Sequence, residues 1–181
     1  MEENKYEVFA KRMEETYPKM LGEQYGGFAI SEGWWHIIES AMANIQSHLD
    51  WKAKNRQRDI ELFTAREQGY DAVLKYYQVD RESPTEWQIE NAKKIMEEGV
   101  VIPPEIPQVI VRQIKEKFGG LRFYYDGGDE YVSGVVDMAE SWAGKTCETC
   151  GSLGVRRNGG WIRTLCDEHE AEYQARRNSN D

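Results

Sequence analysis

Cysteine, histidine and proline are all scarce in this chain of 181 residues, which holds three, three and five of them. So little proline leaves room for long helices and gathers stiff backbone at Pro103, Pro104 and Pro107. No apolar run approaches the ~18 residues that a membrane-spanning helix needs. The opening Met1-Glu-Glu-Asn-Lys5 lacks the apolar stretch of a signal peptide. Reduced thiols in the cytosol are therefore expected. Positive charge is also in deficit, with a formal net charge of -9. Affinity for nucleic acid rests on cations facing phosphates, so the chain as a whole is a poor polyanion binder, and only a local patch would reverse that. A nucleophile elbow, a phosphate loop and a His-x-Glu element ahead of the cysteines are all missing, so no catalytic constellation is evident.

The few cysteines are not scattered. They read Cys147-Glu-Thr-Cys150, then fifteen residues, then Cys166-Asp-Glu-His169, using every cysteine in the chain. Two ligands two residues apart reach one ion from a tight turn, and two such pairs close a four-ligand site. Cys147, Cys150, Cys166 and His169 are thus expected to hold Zn2+. With four protein ligands no position is left for water or substrate, so the role is structural. Two zinc-ribbon knuckles, Cys147/Cys150 and Cys166/His169, are expected, with Gly151 and Gly154 relieving the backbone near the first.

Periodicity supplies the rest of the fold. Tyr6, Phe9, Met13, Tyr17 and Met20 recur at helical steps over residues 5–20, with Pro18 obscuring the end. Tyr25-Gly-Gly-Phe28 reads as a turn. A second helix starts near Ser31 or Glu32 with a stripe of Trp34, Ile37, Ile38, Ala41, Ile45 and Leu49. It continues through Lys52, Lys54, Arg56 and Arg58 toward Tyr76-Tyr77, with a break at Gly69. Those four cations are spread around the helix and read as solvated surface. Ser83 as cap, Pro84 in the first turn and Glu86 closing a capping box predict a helix start. Trp87, Ala92, Ile95 and Met96 then give a helix ending at Gly99. Residues 101–107 form an extended connector.

Residues 109–118 and 121–125, around Gly119-Gly120, read as a hairpin. The second arm alternates Leu121, Phe123 and Tyr125 against Arg122 and Tyr124. The first arm admits a helix as well as a strand. Asp129 is a cap for a helix carrying Val132, Val135, Val136, Ala139 and Trp142, which Gly144 ends. The metal module follows without a linker and is expected to pack on that helix. The fold class is α+β, with a mainly helical body and small hairpin at 1–144 and a zinc-ribbon-like module at 145–181.

Three stretches, YGGFAISEGWW, IKEKFGGLRFYYDGGD and TCETCG…GGWIRTLCDEH, carry a resemblance. Through them the chain resembles a family of tailed-phage and prophage proteins with a C-terminal Cys3His zinc-ribbon-like module. The resemblance covers the N-terminal third, the hairpin and the metal module. It implies a setting, the cytoplasm of a bacterial host, and no mechanism.

Two sets of residues are candidates for ligand contact. Lys117, Arg122 and Tyr124 flank the hairpin turn, beside Lys115 and Asp126, and offer a fork and a ring to a small anion. Arg156, Arg157 and Arg163, with Trp161, lie between the metal-ligand pairs and would suit phosphates and a stacked base. Residues 145–177 hold six basic and five acidic side chains, which weakens the second reading. His36 and His48, about 18 Å apart on one predicted helix, do not share a site. The expected function is a non-enzymatic, zinc-binding phage accessory protein that engages a host protein or a small anionic ligand, in counter-defence. Its alternative is a zinc-ribbon nucleic-acid binder in phage gene expression or DNA metabolism.

Overall fold

The protein is described from a computed structural model, over residues 4–78, 83–158 and 160–179. The elements in order are α1 (Lys5–Thr16), β1 (Phe28–Ala29), a 3-10 turn (Glu32–Trp34), α2 (Trp35–Gln68), α3 (Tyr70–Tyr77) and α4 (Glu86–Glu98). These are followed by β2 (Ile110–Lys117), β3 (Gly120–Asp126), α5 (Glu130–Ala143), β4 (Val155–Arg157), β5 (Arg163–Leu165) and α6 (Asp167–Asn178). The architecture is α+β. The chain divides into two compact units, one of residues 1–49 with 107–181 and one of residues 50–106. Helix α2 begins in the first and ends in the second.

In the first unit the sheet runs β1-β2-β3, with β1 parallel and β3 antiparallel to β2. Residues 110–117 are therefore strand, which settles the ambiguity of the first arm. The turn residues are Phe118-Gly119, one step earlier than the Gly-Gly pair suggests, and Gly120 already lies in β3. Phe118 takes φ 54 and Gly119 φ 72. Paired positive φ values make the tight turn that suits the strand twist, but a bulky side chain at such a position costs roughly 1–2 kcal/mol. Strand β1 has only two residues, too short for alternation to register, and it falls where the sequence suggests a turn.

The core of this unit is aromatic-rich. Trp34, Ile37, Ile38, Ala41, Ile45 and Leu49 are all buried, as their spacing predicts. Phe9 stacks on Trp35 at 4.5 Å and meets Phe28 edge-on at 5.0 Å. Leu121 and Phe123 are buried on β3, and Val132, Val135, Val136, Ala139 and Ala143 on α5. Trp142 departs from its expected place in that stripe and is half exposed. Helix α1 stops at Thr16, before Pro18. Asp129 does cap α5, its carboxylate accepting the Val132 N–H.

The second unit packs the end of α2 against α3 and α4 around Leu62, Val73 and Ala92. Gly69 breaks the long helix where expected, between α2 and α3. The cap of α4 is corrected by two residues. Thr85, not Ser83, is the N-cap, and Gln88, not Glu86, closes the capping box, so Pro84 lies outside the helix. Arg66 caps the far end, its guanidinium donating to the carbonyls of Ile95 and Met96. Trp87 is exposed and not part of the core.

Candidate metal centre

The first ligand pair grows from the end of α5. Thr146 bridges Leu153 in a short antiparallel contact, and between them the chain turns back on itself. The Gly151 N–H donates to the Cys147 carbonyl (2.9 Å) and the Cys147 N–H to the Ser152 carbonyl (2.7 Å). Gly151 adopts φ 79, and a Cβ on Gly154 would lie 2.6 Å from the Cys147 nitrogen, so both glycines are required as expected.

The second pair, Cys166 and His169, is built differently from the first. Cys166 is the N-cap of α6 and His169 lies in its first turn. A cap and the third residue beyond it share one side of a helix start, which brings the same two-residue spacing to one point by another route. Helix α6 and the β4–β5 ribbon leave little sequence signal, since the helix buries no residue and the strands have three residues each.

The four donor atoms all lie within 4.8 Å of one another. Cys150 and Cys166 sulfurs are 3.9 Å apart, and the Cys147 sulfur is 3.7 Å from His169 Nδ1. Ligands about 2.0–2.3 Å from one tetrahedral ion stand roughly 3.5–3.8 Å from each other, so the set fits a metal ion. All three cysteines are free thiols. Hydrogen bonds to Ser152 lower the Cys150 thiol to about 6. The backbone N–H of His169 favours the Cys166 thiolate, yet burial and the thiols of Cys147 and Cys150 outweigh it and raise that group. Three crowded thiols cannot all ionise without a cation among them.

The centre is fastened chiefly to the 3-10 turn ahead of α2 and to the hairpin turn, with α5 contributing the Trp142 carbonyl. The Gly33 N–H donates to the Glu148 carbonyl (2.9 Å), and the Trp34 indole N–H to the Thr146 carbonyl (2.8 Å). A Cβ on Gly33 would meet the Cys147 carbonyl oxygen at 2.2 Å. The Thr164 hydroxyl donates to the Gly119 carbonyl (2.6 Å), and the Thr146 hydroxyl to that of Trp142 (2.9 Å).

The candidate contact residues separate into two groups. Arg163 is turned inward, its Nε 2.5 Å from the buried Glu148 carboxylate and its guanidinium over the Tyr173 ring. Arg157 donates to the Leu165 carbonyl and to Asp167. Both brace the module, so the three ribbon arginines do not form one phosphate patch. Arg122 is likewise held by Glu140, which also accepts the Phe123 N–H at the free edge of β3. Lys117, Tyr124 and Arg156 remain exposed. His48, 2.9 Å from Asp129 and stacked on Tyr131, was given no role by its spacing and serves the α5 cap. The run Lys52, Lys54, Arg56 and Arg58 stays helix surface, Arg56 donating to the Pro103 carbonyl. No described helix is long and apolar enough to cross a membrane. No protein-family model, curated protein or solved structure matches the chain.

Proposed function

We propose that the protein is a non-enzymatic binding protein whose C-terminal third is closed by a structural Zn2+. The carrying observation is the set of four converging donors, Cys147, Cys150, Cys166 and His169, on a short turn and a helix start. Four protein ligands saturate a tetrahedral ion, so the metal supplies folding energy and leaves the surface to do the binding. Thiolate-rich donors with one imidazole suit zinc above oxygen-seeking cations. The binding end is the hairpin, where Lys117 and Tyr124 are exposed, and the ligand is a small anion or an acidic surface of a host protein. The setting is that of a tailed-phage accessory protein acting in counter-defence in the bacterial cytoplasm, and it rests on the resemblance of the three stretches quoted above.

Two measurements test this. Freshly purified protein should carry about one zinc per chain, and markedly less would end the metal assignment. Inorganic pyrophosphate should raise the melting temperature of the native protein but not that of Lys117→Glu. An equal rise in both would remove the hairpin from the binding end.

A further inference from the structure

We infer that the hairpin turn and the metal-centre ribbon together form a stacking platform for single-stranded nucleic acid. This deepens the anion-binding reading proposed above and rests on it. Two separate candidate sets, one from the hairpin and one from the ribbon, lose their internally paired members and meet at one end of the unit.

The meeting point is Gly119. Its carbonyl accepts from Thr164, and a Cβ built on it would stand 3.1 Å from the Ile162 side chain and 3.2 Å from the Arg163 backbone. Phe118 is therefore one residue away on the hairpin and Trp161 one residue away on the ribbon. Arg156 pairs with Thr164 across the ribbon and so belongs to the ribbon face whose Thr164 hydroxyl meets the turn. On the hairpin, the buried Leu121 and Phe123 send Arg122 and Tyr124 to the opposite face. Lys115 stands across from Arg122 on that face, and Lys117 lies next to the turn.

Two rings are open at this end, Phe118 at 63% exposed and Trp161 at 69%, and a third, Tyr124 at 42%, lies further along β3. Lys115 lies over the Tyr124 ring at 5.1 Å and Lys117 over the Phe118 ring at 5.6 Å. Among the described residues, Lys115, Lys117 and Arg156 have no carboxylate partner, in a chain of net charge -9. Rings that offer a face to any base, interleaved with unpaired cations, are what an unpaired strand requires. A duplex hides its base faces and would use the cations alone. Phe118 strengthens the case. An exposed phenylalanine held at φ 54 gives the fold nothing that asparagine would not give better. From Tyr124 to the turn the strand spans roughly 13 Å, enough for more than one nucleotide.

Fluorescence anisotropy of the full-length, zinc-loaded protein with a labelled twelve-nucleotide oligo(dT) tests the inference. Binding is expected at low salt, with a log–log salt slope of about -2 for three phosphates on a single strand. The Trp emission should fall on binding. Phe118→Asn should weaken binding about fivefold or more while leaving the melting temperature equal or higher, which separates lost stacking from lost fold. Lys115→Glu with Arg156→Glu should abolish binding. Failure of oligo(dT) to bind at micromolar protein overturns the platform, as does equal affinity for a twelve-base-pair duplex or undiminished binding by Phe118→Asn. If oligo(dT) fails while pyrophosphate still binds, the platform falls and the small-anion reading stands. If neither binds, both fall.

Discussion

Cys147 and Gly33 show how little tolerance single positions have around the candidate metal centre. Cys147 is fully buried, and its carbonyl leaves no room for a side chain at residue 33. Cys147→Ser or Cys166→Ser should drop zinc from about one to well under half an equivalent per chain and lower the melting temperature, read by metal analysis and calorimetry. Gly33→Ala should keep all four ligands yet destabilise by about 2–3 kcal/mol, because the clash is with backbone that cannot rotate away. Denaturant titration checks this, and a loss under 0.5 kcal/mol would show that the centre shifts freely. The four converging donors were legible because their spacing alone picks them out. Gly33 was not, because its constraint comes from a chain segment more than a hundred residues away.

At the scale of elements, local signals located helices well and their caps less well. The start of α4 offered two overlapping boxes, and Thr85 with Gln88 won because the Gln88 amide also reaches the Tyr77 carbonyl (2.6 Å). Thr85→Ala should therefore cost about 1 kcal/mol and Ser83→Ala less than 0.5 kcal/mol by urea denaturation. The cap of α5 adds a pH signature. Burial opposes the Asp129 charge, but hydrogen bonds from His48 and the Val132 N–H prevail and hold its carboxyl below the usual range. A lowered folded value stabilises above the unfolded value near ~3.9 and loses that stability as pH falls through the folded one. Asp129→Asn should be less stable than the parent at neutral pH, with the gap narrowing in acid. A gap constant from pH 7 to 2 would show that the carboxylate charge contributes nothing. The hairpin was legible from its residue types, whereas β1 and the ribbon strands are too short for a period of two to register. Helix α6 buries no side chain, so it has no apolar stripe to read.

On the scale of the whole molecule, the two units have unequal means of support. Among the described residues the second is built on three buried apolar side chains, and the first has a large aromatic core and the candidate metal centre. Removing metal by a chelator from the intact protein should raise amide exchange across residues 145–169 and at Gly33, Trp34 and Gly119. Exchange in residues 50–106 should stay as it was. A uniform rise over the chain would instead mean a single cooperative block. The bond from Trp34 to the Thr146 carbonyl spans 112 residues. Contacts so distant in sequence form late, after the entropy of a long loop has been lost, and they slow folding. During synthesis the Trp34 indole N–H therefore stays bonded to water until the segment around Thr146 has left the ribosome. Metal held by Cys147, Cys150, Cys166 and His169 would then lock that distant contact in place, tying the turn at Gly33 and Trp34 to a segment made long after it.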